Sequence, residues 1–205
     1  MELILDLYEQ DRQPGVPLIC FDECSRQLVE HIHPTVPMKS GCPRKEDYEY
    51  RRNGTCNLFV TVEPFEGRRQ VVVTERRTNV DFAHRMRQLV DEDYPDAKKL
   101  IVVLDNLNTH RITTLWQVFD PKEALRIAKR LDFRFTPKHA SWLNMAEIEI
   151  ASLQKQCLSR RIPNMETMKQ EVAAWVQQRN DERIVISWTF TVQKARLKMK
   201  KLYRS

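Results

Sequence analysis

The chain has 205 residues, 41% of them hydrophobic, and a formal net charge of +6 at pH 7. Chains of this size bury roughly 70% of their unfolded surface, so residues 1–205 are expected to form a single domain. No apolar run approaches the ~20 residues that a bilayer span requires. The acidic start, MELILDLYEQDRQPG, lacks the basic n-region of a secretory signal. Five cysteines without regular spacing fit a reducing compartment. A membrane-spanning or exported protein is therefore excluded at this level, and a cytoplasmic one expected.

In chain order, residues 18–21 and 100–104 are apolar runs that read as buried β-strands. Residues 57–63 and 69–74 are β-rich and separated by Pro64 and Gly67, which predicts an antiparallel hairpin. Residues 33–52, with several prolines and bases and Gly41, form the longest expected loop. Asn79 is placed to cap a helix whose Phe82, Met86, Leu89 and Val90 share a face. Asp120-Pro121 opens a short helix ending near Leu131, residues 133–135 form a short strand, and Pro137 breaks the chain before another helix. Asn164 caps a last long helix with Met165, Met168, Val172, Trp175 and Val176 on its buried side. The order is that of a mixed sheet flanked by helices, which periodicity alone classes only as α/β.

Three acids occupy unusual settings. Asp22 in PLICFDE and Asp105 in LIVVLDNLNTH each end an apolar run, the strand edge where open α/β sheets place their chemistry. Glu147 in HASWLNMAEIEIASL sits on a helix. At 100° per residue, Leu143, Ala146, Ile150, Ala151, Leu153, Cys157 and Leu158 form one apolar arc that contains Glu147, whereas Glu149 falls outside it beside Ser152 and Gln156. A carboxylate in a core-facing stripe is costly unless paired, protonated or metal-bound. Singly, each acid also has a plain structural reading. Asp22 can end a strand before a turn, Asp105 can cap a following helix through Asn106 and Thr109, and Glu147 can pair with a buried base.

The flanking words resemble the catalytic domain of DDE transposases of bacterial insertion sequences, in the mariner-like superfamily. CFDECSRQL is similar to that family's first-aspartate strand, LDNLNTH to its second-aspartate motif, and TPKHASWLNMAEIE to its third-acid motif. The pattern Leu-Asn, two residues, acid selects Glu147. Weaker matches follow in CLSRRIP and WTFTVQKARLKMKKLY, so the likeness runs from about Pro17 to Tyr203.

The resemblance implies a ribonuclease H-like fold, catalytic and metal-binding roles for Asp22, Asp105 and Glu147, and Mg²⁺, with Mn²⁺ as substitute, as cofactor. Two divalent ions about 3.5–4 Å apart can clamp the attacking and leaving oxygens in line, and hard carboxylate oxygens suit Mg²⁺. Asp22, on the central strand, is the candidate to bridge both ions, with Asp105 holding one and Glu147 the other. The implied partner is double-stranded DNA, both element ends and a target, bound as a homodimer, and kinship adds a preference for TA-containing targets. Members of this superfamily carry helix-turn-helix units ahead of the catalytic domain, and some sixteen residues precede the first strand here. A catalytic domain alone is therefore expected, with recognition supplied by a possible separate helix-turn-helix polypeptide. A catalytically silent DNA-binding remnant and a ribonuclease H-like nuclease or resolvase without strand transfer stay open as alternatives.

The charge is unevenly distributed. Residues 1–23 hold six acids against one base, Arg12, whereas from Ser187 onward there are only bases: Lys194, Arg196, Lys198, Lys200, Lys201 and Arg204. A one-signed tail is the footprint of a polyanion partner, although most charge runs are solvated faces. Lys138, Arg160 and Arg161 flank the Glu147 helix and join Lys194, Arg196 and Lys198 as candidate DNA contacts, with the 33–52 loop another candidate surface. His110 and His139 border the second and third motifs and read equally as phosphate contacts, supports for a metal ligand, or plain hydrogen-bonded histidines. Cys20, Cys24 and His31-x-His33 lack the paired spacings of a zinc site and read as core residues. Trp142, Trp188 and Phe190 are likewise expected in the core.

Overall fold

The computed structural model describes residues 1–107 and 110–200. Among these, β1 (Leu18–His31), β2 (Tyr50–Glu63), β3 (Arg68–Thr74), β4 (Leu100–Leu104) and β5 (Leu131–Phe135) form one sheet in the order β3-β2-β1-β4-β5. The β1–β2 and β2–β3 pairs are antiparallel, β1–β4 and β4–β5 parallel. The expected mixed sheet with Asp22 on its central strand is what forms. No helix is long and apolar enough to cross a membrane among the described residues.

Alternation along the strands divides the core. Ile19, Phe21, Phe59, Val102 and Leu104 face α2 (Asn79–Gln88), α3 (Thr114–Val118) and α4 (Pro121–Arg130). Leu18, Cys20, Val62 and Val103 face the other way, against α1 (Glu2–Glu9) and the residues leading into α5 (Ala146–Gln156). Leu58, Val60 and Val73 are covered by α5 and α6 (Met165–Asp181). A last helix, α7 (Val192–Lys198), lies against α1.

Several boundaries differ from expectation. The first strand does not stop at Phe21 but continues to His31, because β2 pairs with it from Cys20↔Val62 to His31↔Tyr50, with a register shift between Gln27 and Val29. An apolar run marks where a strand is covered on both faces, whereas backbone pairing extends a strand through polar residues. Asp22 therefore lies within a strand. Its β4 neighbour pairs only from Leu18↔Ile101 to Cys20↔Val103, so β1 runs past the parallel ladder two residues before Asp22.

The hairpin is present, and Gly67 (φ 69) is required in its turn, since a Cβ there would come 2.7 Å from the Arg183 backbone. The α2 cap is Thr78, in a capping box with Asp81, rather than Asn79. Asp120 and Asn164 cap α4 and α6 as expected. Residues 33–49 are irregular apart from the bridges Val36↔Lys45 and Lys39↔Cys42, and Tyr50 already belongs to β2.

Candidate functional site

Asp22 follows Phe21 on β1 and projects to the face opposite Phe21, the side of α5. Its Oδ1 accepts the backbone N–H of Glu23 at 2.7 Å. Asp105 comes directly after β4, and Glu147 stands in the first turn of α5. Burial pushes the Asp22 carboxyl up to about 6, the negative charges of Asp105 and Glu147 add to that, and the Glu23 N–H and His110 oppose it. The charges of the two other acids thus reach Asp22, and His110 partly offsets them.

The third-acid motif has a physical reason beyond Glu147. Asn144 is fully buried; its amide donates to the Phe21 carbonyl at 2.8 Å and its Oδ1 accepts the Ala146 N–H at 3.2 Å. It clamps the start of α5 to β1 one residue before Asp22. The Tyr8 hydroxyl donates to the Leu143 carbonyl at 2.7 Å and steadies the same turn from α1. The Leu-Asn pair therefore fixes where Glu147 enters, a role the sequence reading did not assign.

The helical-phase argument needs correcting. Glu149, expected outside the buried arc, is fully buried, and Glu147 is half-buried. The Glu149 carboxylate accepts hydrogen bonds from Arg179 Nε and Nη2 at 2.9 and 3.2 Å and is ion-paired with Arg69, whose Nε lies 2.8 Å away without hydrogen-bond alignment. Three causes rotated the expected face. Ala151 is exposed, α5 begins only at Ala146 and ends at Gln156, and a doubly paired carboxylate can be as buried as a leucine. The motif still selects Glu147; the amphipathic argument for it does not hold.

Asp105 does not cap a helix. The next one, α3, begins after Thr113, and Asn108 and Thr109 lie outside the described residues. Its Oδ1 instead sits 2.5 Å from His110 Nδ1. That histidine is fully buried between Phe21 and Phe82, with ring centroids 5.5 and 5.0 Å away. Lys138 and His139 line a cleft of about 600 Å³ with Asp105, Asn106 and Ser141. His139 has φ 62, a left-handed conformation of the kind that clusters at functional sites.

The other bases have intramolecular partners. Arg160 pairs with Glu171 and lines a cleft with Ser25, Arg26 and Arg161. The Arg161 guanidinium bonds His31 Nδ1 and the Glu49 carbonyl at 3.1 and 3.0 Å and lies over the Tyr50 ring. It thereby anchors the 33–52 segment.

On α7, Arg196 forms two bonds to Glu2 (2.7 and 2.8 Å), Lys194 Nζ donates to the Thr189 carbonyl, and Lys198 stands 5.9 Å over Phe190. Glu9 accepts the Val192 N–H at 2.7 Å. The acidic start and the basic end of the chain thus meet, so part of the uneven charge is spent within the molecule.

All five cysteines are free. Cys20 is buried against Tyr8, and burial pushes its thiol up to about 11, which is core behaviour rather than ligation. Trp188 and Phe190 pack on the α1 cluster as expected, but Trp142 is 40% exposed. His33, Asp47 and Glu49 are the group among the described residues whose ligand atoms all lie within 4.8 Å of one another. They are mostly exposed and joined by ion pairs of 3.7 and 3.9 Å.

Comparisons with known proteins give the family and the fold. The profile described as DDE superfamily endonuclease matches residues 17–169, a span that contains all three acids. No curated protein matches the sequence. The Mos1 mariner paired-end complex with Mn superposes with a TM-score of 0.59 at 15% identity, covering 89% of this chain and 54% of that one. The Mos1 transposase paired-end complex with left transposon end gives 0.60 at 14% identity, covering 89% and 54%. For the Mos1 strand transfer complex the score is 0.57 at 14% identity, with 89% and 53% covered. The chain therefore spans about half the length of these solved relatives, and it shares with them the ribonuclease H-like sheet expected above.

Proposed function

We propose a function from one premise: this chain belongs to the DDE superfamily endonucleases. On that premise it acts as the catalytic part of an insertion-sequence transposase, cutting DNA in a metal-dependent step and joining the freed end to a target. The observation that carries the reading is the mutual electrostatics of Asp22, Asp105 and Glu147, where burial and two neighbouring carboxylates push Asp22 up to about 6. Hard oxygen donors whose charges act on one another fit a divalent cation of the Mg²⁺ or Mn²⁺ kind. The likeness to Mos1 complexes with Mn and with Mg supports the same choice.

Asp22, Asp105 and Glu147 would hold the metal, which would supply charge compensation for the transferring phosphoryl group and acidify the attacking water. The chain's own residues do the rest. Asn144 and His110 hold the helix-borne and strand-borne acids in place. Lys138, exposed on the cleft beside Asp105, offers its ammonium to a phosphate of the cut strand. Arg160, Arg161 and the α7 bases Lys194, Arg196 and Lys198 provide further backbone contacts, to the extent that DNA competes for their intramolecular partners. Hydrolysis at an element end breaks a P–O bond and leaves a 3′-hydroxyl. That hydroxyl then attacks a target phosphorus and displaces a 3′-oxygen of the target strand. End recognition by helix-turn-helix units, a homodimeric assembly on DNA and a bacterial cytoplasmic setting, at the nucleoid, complete the proposal.

The test is cleavage of duplexes carrying the DNA that flanks the protein's own gene. Wild type with Mg²⁺ or Mn²⁺ is expected to nick them, supplemented by helix-turn-helix units if the chain alone lacks end preference, and Glu147→Gln to lose this activity by at least a hundredfold, of the order seen when a key catalytic group is removed. Absence of metal-dependent nicking in wild type under both conditions would favour the silent remnant. Full activity of Glu147→Gln would remove that residue from the site.

A further inference from the structure

We propose that His110 and Glu23 are positioning residues that set the distance between the two aspartate-bearing strands and fix the Asp105 carboxylate. The proposal deepens the metal-site reading above and rests on it. The parallel ladder between β1 and β4 ends at Cys20↔Val103, so hydrogen bonding between these strands does not reach Asp22 or Asp105. A fully buried imidazole takes over at that point. His110 Nδ1 contacts Asp105 twice, at 2.5 Å to Oδ1 and 3.4 Å to the main-chain oxygen. Its other nitrogen, Nε2, lies 3.8 Å from Glu23 Oε1 on β1.

Both ends of this bridge are sheltered. The side chains of His110 and Glu23 are 1% and 5% exposed, and Arg77 approaches the same Glu23 oxygen at 3.9 Å. Phe21 meets the imidazole edge-on while Phe82 lies tilted against it, so the ring has little freedom to turn. Nε2 is buried and has no hydrogen-bond partner within normal reach. Such an atom is costly unless something requires it there. A small approach of Glu23 closes the gap, and the strand carrying Asp22 would move with it. Residues that orient metal ligands from behind typically change metal affinity by about 10–100-fold when replaced.

The experiment measures half-saturation by Mn²⁺ alone on the full chain, well below its melting temperature, together with the metal-free melting temperature. His110→Phe keeps a ring between Phe21 and Phe82 but removes the N–H. It is expected to need at least tenfold more Mn²⁺. His110→Asn returns an N–H near the Nδ1 position and should recover most of that loss, which a packing role would not produce. Glu23→Ala, which leaves the ring in place, should weaken Mn²⁺ severalfold and carries the test if His110→Phe does not fold.

Wild-type affinity in a folded His110→Phe, or in Glu23→Ala, overturns the proposal, as does an Asn variant no better than the Phe variant. Asp22→Asn is the control for the underlying reading. If wild type and Asp22→Asn bind Mn²⁺ alike, the triad itself fails, and that failure is separable from one confined to His110 and Glu23.

Discussion

Two carboxylates on the same helix, two residues apart, meet opposite electrostatic fates. Glu149 is fully enclosed and answered by two arginines, Arg69 from β3 and Arg179 from α6. Glu147 is half-buried and adds its charge to a cluster that already holds Asp22 and Asp105. The first arrangement is finished in the folded chain and fastens α5 to β3 and α6. The second leaves repulsion that the Glu23 N–H and His110 offset only in part, the kind of perturbed carboxylate that clusters at functional sites. A buried acid is therefore not by itself a sign of function; its partners decide which kind it is.

The sharpest way to break this comparison is to neutralise each glutamate in turn. Glu149→Gln leaves Arg69, which is fully buried, with an unanswered charge and should cost about 3–5 kcal/mol of stability. Glu147→Gln should leave stability unchanged or slightly raised. Urea denaturation of the metal-free proteins reads both, and equal losses would put the two acids in one structural class.

A smaller effect should follow pH. The Asp22 carboxyl titrates near 6 in the fold, above its ordinary value of 3.8, so the folded state binds its proton more tightly than the unfolded state. Stability contributed by this group is then present below about pH 4 and is lost as pH rises towards 6. Asp22→Asn should be more stable than metal-free wild type above pH 6, by about 2–3 kcal/mol on the scale of 1.36 kcal/mol per pKa unit, and the gap should close below pH 4. A pH-independent gap would contradict the assignment of cause.

The smallest effect concerns the chain ends. The Arg196–Glu2 pair is exposed on both sides, so Arg196→Ala should cost less than about 1 kcal/mol and less still at high salt. Its effect on DNA affinity should exceed that cost if α7 contacts phosphates. Filter binding at two salt concentrations distinguishes the two roles.

The hairpin, the α4 and α6 caps and the mixed sheet were legible in the sequence because turn residues and apolar runs act locally. The full length of β1 was not, since pairing with β2 carries it through Asp22, Glu23 and Ser25 without any apolar signal. Of the candidate site, the words around the two aspartates and Glu147 singled out three acids whose charges act on one another in the fold. The face of α5 was misread because its most buried charged residue is solvated by arginines 80 residues before it and 30 after it. The contacts of Asn144 and Glu23 were missed for a related reason. Their partners, the Phe21 carbonyl and His110, are remote in sequence, and no spacing rule encodes them.

The central claim is that Asp22, Asp105 and Glu147 form a divalent-cation site. Anomalous diffraction from crystals of the full chain soaked in Mn²⁺ tests it most directly. The account predicts a manganese peak bounded by these three carboxylates that disappears in Asp22→Asn. A peak confined to His33, Asp47 and Glu49, or one that persists at the triad without Asp22, would contradict it.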